Sequence, residues 1–230
     1  MKRSEVNDIM READAFIRSF RIALPPFAYW TPPQMKERKA AIGEIANRGL
    51  GWDITDYGKG DFAGTGLFLF TLRNGNAADL PAGRGMLYAE KLLVSRRDQV
   101  APMHRHGVKA EDIINRGGGT LALKLYMSAP DGSIDAGATV RVPTDGIVRQ
   151  LEPGGILRLA PGESVTLMPG VWHAFWAEES DVLIGEVSTV NDDLTDNIFA
   201  DPIGRFSEIE EDEAPLHLLV SDYDHYLGKA

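Results

Sequence analysis

Three of the five histidines in this 230-residue sequence stand at a spacing that suits a metal site. His104 and His106 would point to the same face of a β-strand, because side chains two positions apart share a face. Glu111 can return to that face if Gly107 breaks the strand, and His173 would come from a second strand far downstream. Three imidazoles and one carboxylate can hold a divalent cation and leave two octahedral positions open. The spacing therefore predicts a catalytic metal site with these four ligands.

The composition narrows both the kind of site and the kind of partner. There are no cysteines, so thiolate-bound zinc, disulfides and cysteine nucleophiles are excluded, and any metal must be held by nitrogen and oxygen. A formal net charge of −10 argues against a nucleic-acid partner. The N-terminus lacks the apolar core of a secretory signal, and no apolar run approaches the roughly 20 residues of a membrane helix. We therefore expect a cytoplasmic protein without a membrane partner.

The pattern of elements changes along the chain from helices to short strands. Ser4 can cap a first helix, and Thr31 can cap a second, where Gln34 completes a capping box. Further on, short apolar stretches alternate with Gly- and Pro-containing turns, which is typical of a β-sandwich or barrel. The expected parts of a single domain over 1–230 are a helical extension (1–65), a β-barrel core (66–200) and a C-terminal extension (201–230). The predicted strands span 66–72, 86–94, 99–103, 120–127, 139–142, 147–151, 156–159, 164–167, 173–177, 182–190 and 216–220.

Two segments of the sequence resemble the two motifs of the cupin superfamily. They are the runs His104-x-His106-x4-Glu111-x6-Gly118 and Pro161-Gly162-x6-Pro169-Gly170-x2-His173. The sequence departs from the motifs at Asp98, Met168 and Ala177, where cupins usually have Gly, Pro and Asn. These departures concern turn geometry and leave the ligands intact. The resemblance implies an all-β cupin fold, a double-stranded β-helix or jelly-roll barrel, here with N-terminal helices.

Longer strings resemble the D-lyxose isomerases nearly from end to end. The most specific is His104-Arg-His106-Gly-Val-Lys109-Ala-Glu111-Asp112-Ile-Ile-Asn115-Arg116-Gly-Gly-Gly119. The others are Leu50-Gly-Trp52-Asp53, Phe70-Thr-Leu-Arg73-Asn74-Gly75, Tyr88-Ala-Glu90-Lys91, His173-Ala-Phe-Trp176-Ala-Glu178, Gly185-Glu186-Val-Ser188-Thr-Val-Asn191-Asp192-Asp193 and Ile209-Glu-Glu211-Asp212-Glu213. The resemblance implies a Mn²⁺-dependent enzyme that interconverts D-lyxose and D-xylulose, often D-mannose and D-fructose as well, and that is usually a homodimer.

Such an isomerisation moves a proton between C2 and C1 of the sugar, so it needs a base beside the metal. Lys109 is the first catalytic candidate, because it lies in the turn between the second and third ligands. An acidic partner from the tail is implied by the resemblance, and Glu208, Glu210 and Glu211 compete for that role. We favour Glu211, which stands in the part of the tail most similar to the family.

Three further residues are candidates for binding the substrate. Glu186 lies mid-strand among apolar residues, where an unpaired carboxylate would be costly, so it should meet the substrate or pair with Lys91, Lys124 or an arginine. The run from Asn115 to Gly119 is predicted to form a tight turn, in which Arg116 could anchor an ion pair. Lys91, Glu186 and Arg116 are therefore the predicted substrate-binding residues.

Two other functions use the same four ligands. An iron-dependent cupin dioxygenase would bind O₂ beside an organic substrate, and a non-catalytic cupin would bind a sugar without changing it. Three nitrogens and one oxygen also accept Fe, Co, Ni or Zn, so Mn²⁺ follows from the resemblance and not from the ligand set. Exchange of sugar hydrogen with solvent would occur only in the isomerase.

Overall fold

The computed structural model describes residues 1–228, and most of their strands belong to one curled antiparallel sheet. The sheet begins at Gly51, inside the segment that the sequence analysis assigned to the helical extension. The strands are β1 (Gly51–Thr55), β2 (Leu67–Arg73), β3 (Tyr88–Ser95), β4 (Ala101–Arg105), β5 (Glu111–Ser128), β6 (Ile134–Asp135), β7 (Val140–Thr144), β8 (Ile147–Leu151), β9 (Ile156–Leu159), β10 (Ser164–Leu167), β11 (Trp172–Thr189) and β12 (Ile198–Phe199).

Helices are few and lie mainly before the sheet. They are α1 (Arg3–Ser19), α2 (Pro32–Glu37), α3 (Gly43–Asn47) and, near the C-terminus, α4 (Tyr223–Leu227). The predicted capping box of α2 is confirmed, because Gln34 N donates to Thr31 Oγ1 at 3.4 Å and Thr31 N donates to Gln34 Oε1 at 3.0 Å. Within residues 1–228, no helix is both long and apolar enough to span a bilayer.

The sheet curls because β5 and β11, each of 18 residues, pair with one another and also with other strands. β11 pairs with β3 and β4, while β5 pairs with β6, β9 and β10. The pairing of β5 with β11 shifts register between Glu178 and Val182 and again after Leu183, which marks bulges that bend the strands. β7 and β8 form a separate hairpin, and β1 and β2 extend the sheet beyond β3. The predicted barrel of short strands with N-terminal helices is thus confirmed in outline.

The predicted turn from Asn115 to Gly119 was wrong, because these residues continue β5 without a break. The glycines are needed for close contact with β11. A Cβ atom at Gly118 would lie 2.0 Å from the carbonyl oxygen of Asp181, and one at Gly119 would lie 2.2 Å from that of Glu178. Glycine here therefore allows two strands to approach at a bend and does not reverse the chain.

Asp98 occupies the position where the first cupin motif usually has glycine. Its φ of +62° lies in the left-handed region that favours glycine and that Asp tolerates better than most residues. Its amide donates to the carbonyl oxygen of Ala177 at 2.9 Å, which ties the turn before β4 to β11. The turn geometry is thus retained without the glycine.

Two apolar cores lie on opposite sides of β2, because side chains alternate along a strand. Leu67 and Leu69 pack inside the barrel, whereas Phe68 and Phe70 pack against the N-terminal helices. The barrel core is formed chiefly by Ile113, Leu121, Leu123, Leu125, Leu157, Leu159, Val165, Val182 and Ile184. The second core joins β1, β2 and β3 to the buried face of α1, which presents Val6, Ile9, Met10, Ala13 and Ile17.

The C-terminal tail lies along the start of α1. The prediction that Ser4 caps α1 was wrong, because the helix begins at Arg3, so that Lys2 is the N-cap and Ser4 lies inside the first turn. Ser4 Oγ instead donates to Asp212 Oδ2 at 2.6 Å, and Arg3 N donates to the carbonyl oxygen of Glu210 at 2.9 Å. The predicted strand over 216–220 was also wrong, since that stretch makes only an isolated bridge between Leu219 and β1.

We predict that Arg3 contributes most of the stability of this junction. Arg3 is fully buried, and its Nη2 lies 2.5 Å from Glu211 Oε1 and 2.9 Å from Asp222 Oδ1. Substitution Arg3→Met would leave the nearly buried carboxylate of Asp222 without its cation. The free energy of unfolding, measured by urea denaturation, should fall by about 3–5 kcal/mol.

The control is Arg11→Met on the same helix. Arg11 pairs with Asp8 at 2.6 Å, but both side chains are exposed, so the change should be at most about 1 kcal/mol. Equal losses in the two variants would contradict the prediction.

Candidate active site

Four side chains converge at one end of the barrel. His104 lies in β4, His106 follows that strand directly, Glu111 begins β5 and His173 lies near the start of β11. His104 and His173 face each other across the paired strands β4 and β11, with ring centroids 4.1 Å apart. One nitrogen of each imidazole lies within 4.8 Å of one nitrogen of the others, so the three histidines could hold a metal ion.

The same tautomer is imposed on all three imidazoles by the backbone. Each Nδ1 faces a carbonyl oxygen, which can only accept a hydrogen bond, so the proton resides on Nδ1 and the lone pair on Nε2. This arrangement is the usual outer support of metal-binding histidines. The contacts are His104 with Pro102 at 2.8 Å, His106 with Asp196 at 2.8 Å, and His173 with Val171 at 3.1 Å.

Glu111 completes a set of acceptors that have no proton between them. Its Oε1 lies 3.4 Å from His106 Nε2 and 3.2 Å from His173 Nε2. Within the described residues, Glu111 Oε1 and His106 Nε2 are buried without a hydrogen-bond partner. Because each atom presents a lone pair, this arrangement is unfavourable alone and fits a divalent cation among them.

The protonation states agree with that donor set. Burial, together with the neighbouring His173 and His106, lowers the pKa of His104 well below its usual value, so the ring is neutral. Burial alone would raise the pKa of Glu111, but the Lys109 ammonium holds it well below its usual value. Both groups are therefore in the form that a metal requires.

A line of alternating charges leads away from Glu111 through the cavity. Lys109 Nζ lies 2.6 Å from Glu111 Oε2 and 2.9 Å from Glu186 Oε1. Lys91 Nζ lies 3.5 Å from Glu186 Oε1 and 3.5 Å from Asp193 Oδ1. Burial opposes the charge of Lys109, but the carboxylates of Glu111, Glu186 and Asp193 raise its pKa above the usual value. Lys109 is therefore an ammonium group held between two carboxylates.

The line ends in a further buried ion pair. Asp193 Oδ2 lies 3.8 Å from Arg205 Nη2, which lies 2.5 Å from Asp53 Oδ2. Burial disfavours the charge of Asp193, yet Lys91, Arg205 and Lys109 hold its pKa well below the usual range. Seven charged residues thus alternate in sign along this line, and all of them except Asp53 line the cavity.

The three histidines, Glu111 and most of the line of charges border one cavity. One part of its wall is polar, formed by the three histidines and the charged groups described above, apart from Asp53, together with Asn197. The rest is apolar or aromatic and consists of Tyr57, Leu67, Leu69, Leu93, Ile113, Phe175 and Phe199. Such a wall suits a small polar ligand with an apolar face.

Asp196 fixes the turn that carries Lys109. Its carboxylate accepts hydrogen bonds from the amides of Gly107, Val108 and Lys109 at 2.7, 3.0 and 2.8 Å. Its carbonyl oxygen also accepts from His106 Nδ1. Asp196 therefore fixes both His106, a candidate metal ligand, and the backbone at Lys109.

Two residues predicted for the site lie outside it. Glu211 binds Arg3 through both carboxylate oxygens, its side chain is 47% exposed, and it does not line the cavity. Arg116 is exposed, because Glu111 and Ile113 point inward along β5 and an odd number of steps from Glu111 reverses the face. Lys91, Lys109 and Glu186 do line the cavity, as expected.

Several residues that line the cavity or support its lining were missed by the sequence analysis. Asp53 and Asp193 stand in strings that resemble the D-lyxose isomerases, which could have drawn attention to them. Tyr57 and Arg205 lie outside every such string, and Asp196 lies just beyond one. No local pattern marks these residues as part of a cavity formed by strands distant in sequence.

We predict that Asp196→Ala lowers the affinity for a divalent probe ion, Mn²⁺ or Co²⁺, by roughly 10- to 100-fold, as for other groups that support ligands. The physical reason is that the turn loses three hydrogen bonds that orient it. Isothermal titration of the full chain measures the effect. The control is Asp131→Ala, because Asp131 accepts from Ser133 N at 3.0 Å in an exposed turn elsewhere. An unchanged affinity in Asp196→Ala would show that Asp196 does not support the metal ligands.

A protein-family model and two full-length relatives match nearly the whole chain. The family model described as D-lyxose isomerase matches residues 1–223. The "D-lyxose/D-mannose isomerase" of Serratia proteamaculans is 46% identical over 232 aligned positions, covering 99% of this chain and 100% of the relative. The protein of the same name from Escherichia coli O157:H7 is 45% identical, covering 98% of this chain and 100% of that one.

The fold is shared with solved sugar isomerases. The L-ribose isomerase of Acinetobacter sp. DL28, solved with L-ribose, superposes with a TM-score of 0.60 at 17% identity and covers 91% of this chain and 98% of its own. This likeness confirms the cupin-type fold. Because the family model and both full-length relatives agree, the chain belongs to the D-lyxose isomerase family and is a sugar isomerase.

Proposed function

We propose that this protein is a Mn²⁺-dependent aldose–ketose isomerase that interconverts D-lyxose and D-xylulose, with D-mannose and D-fructose as a second pair. The observation that carries the proposal is the buried set of unprotonated acceptors beside the Lys109–Glu186 pair. The names of the two relatives support the choice of sugars. Membership of an isomerase family argues against the dioxygenase and the non-catalytic sugar-binding protein.

His104, His106, Glu111 and His173 would hold the metal. Bound there, a divalent cation supplies Lewis acidity to the neighbouring oxygens O1 and O2 of the sugar. Four protein ligands would leave such a cation free to contact both oxygens. Mn²⁺ is chosen by the resemblance to the family, since the nitrogen and oxygen donors accept other divalent ions as well.

We assign the proton transfer between C2 and C1 to Glu186. Its carboxylate is buried, lines the same cavity as the four ligands and lies 2.9 Å from Lys109 Nζ. As a general base it would take the proton from C2 of the aldose and return it to C1 through an enediol of the sugar, while the proton of the O2 hydroxyl passes to O1. Glu186 thereby takes the role that the sequence analysis gave to Glu211.

Lys109 would act on the sugar oxygens. It remains protonated because its carboxylate neighbours raise its pKa, so it can donate to O1 or O2 as negative charge develops there. Lys91, which lies 3.5 Å from both Glu186 and Asp193, would orient the base and bind the substrate. A homodimer in the cytoplasm remains the proposed assembly and location.

The first test is isomerisation of D-lyxose in D₂O by the Mn²⁺-loaded protein, followed by proton NMR. We expect D-xylulose to form and solvent deuterium to enter the sugar, because a carboxylate base exchanges its proton with water. Exhaustive chelation should abolish turnover, and Mn²⁺ should restore it. Full activity after chelation would refute the metal dependence, and turnover without deuterium would indicate a hydride shift in place of the base.

The second test is Glu186→Gln, which keeps the shape of the side chain and removes its ability to accept a proton. We expect kcat for D-lyxose to fall by roughly 10²- to 10⁴-fold while Mn²⁺ remains bound. The control is Glu178→Gln on the same strand, where Glu178 forms an outward-facing pair with the exposed Arg158 at 2.8 Å, so kcat should not change. A Glu186→Gln enzyme with normal kcat would remove Glu186 from the mechanism.

A further inference from the structure

Arg205 is a cavity residue to which the proposed mechanism gives no task. It follows β12 in the tail and lines the same cavity as the three histidines. Its position is fixed on two sides, since Nη2 lies 2.5 Å from Asp53 Oδ2 and the guanidinium lies 4.9 Å from the centre of the Phe206 ring. Asp53 belongs to β1, so the arginine joins the tail to the edge of the sheet.

One nitrogen of this guanidinium has no partner. Among residues 1–228, Arg205 Nη1 is buried and has no hydrogen-bond acceptor. A buried donor left unsatisfied is costly, and a charged donor more so. The ion pair with Asp53 prevents the group from turning toward solvent. A molecule in the cavity, whether water or a ligand, can supply the missing acceptor.

Arg205 also lies farther along the line of charges than the reacting groups. Lys91 and Asp193 stand between it and Glu186. The carbons C1 and C2 belong beside Glu186 and Lys109 in the proposed function, on which this inference rests. The remaining part of an aldose is a chain of hydroxyl groups, whose oxygens are good acceptors.

We propose that Arg205 is a specificity-determining residue whose Nη1 donates a hydrogen bond to a hydroxyl oxygen on C3, C4 or C5 of the sugar. Asp53 is the positioning residue that holds the guanidinium in place. A site built to bond a substrate hydroxyl discriminates against an analogue that lacks it, because its buried donor is then left unpaired. Arg205 would thus select the sugar through its unreactive end.

The test is Arg205→Lys in the Mn²⁺-loaded full chain, which keeps a positive charge beside Asp53 and removes Nη1. Substrates are D-lyxose and its 3-deoxy, 4-deoxy and 5-deoxy analogues. We expect kcat/KM for D-lyxose to fall roughly 10- to 100-fold, mainly through KM. For the analogue that lacks the bonded hydroxyl, the variant and the wild type should differ by no more than about 3-fold. An equal loss with all four sugars would mean a purely structural role and overturn the proposal.

Two further measurements keep the outcome clear. The wild type alone should turn over one deoxy analogue at least about 10-fold less efficiently than D-lyxose; if all analogues match D-lyxose, the proposal fails even when the variant does not fold. D-Arabinitol, the reduced and unreactive form of D-lyxose, should bind Arg205→Lys more weakly by calorimetry. That loss in a protein without isomerase activity would overturn the proposed function and leave the Arg205 site standing. The control is Arg158→Lys, an arginine paired with Glu178 on the outer surface.

Discussion

The candidate site depends on one electrostatic constraint, which is that buried lone pairs face one another without a proton between them. The carbonyl oxygens that take the Nδ1 protons leave every Nε2 as an acceptor, and Glu111 adds a carboxylate at 3.2–3.4 Å from two of them. Lys109 neutralises the other oxygen of Glu111 but does not enter the cluster. The fold therefore holds these groups in an arrangement that a cation would stabilise, and the β4–β11 pairing keeps them together.

The other buried charges of the site are likewise stabilised by neighbouring groups. Burying four carboxylates and three basic groups would be prohibitive if each stood alone, and it becomes acceptable because each charge has neighbours of opposite sign. The segment after β11 is essential to this arrangement, since it supplies Asp193, Asp196 and Arg205. Asp196 lies 90 positions from His106, so the site exists only when the whole barrel is assembled.

Site residues could be predicted where strand alternation relates neighbours in the sequence. They could not be predicted where the contact joins segments that are distant in the sequence. The side chains of His104, His106 and Glu111 could be assigned to one site because strand alternation and one turn relate them. Strand alternation along β5 places Arg116 on the outward face. The glycine run after Arg116 suggested a turn, so this alternation was not applied there. Glu211 could not be excluded, because its partner Arg3 lies 208 positions away at the other terminus. Arg205 was missed for the same reason, since only the folded tail brings it beside Asp53.

The charges of the seven residues in this line do not cancel. Four carboxylates stand against three basic groups, so this line of charges carries one net negative charge. A bound divalent ion would reverse the sign and leave a surplus of one positive charge. When Glu186 takes the proton from C2, the lining would gain one further positive charge just as the sugar becomes an anion. The lining would thus be most positive at the moment when the sugar is negative, which favours the short-lived anion over both stable sugars.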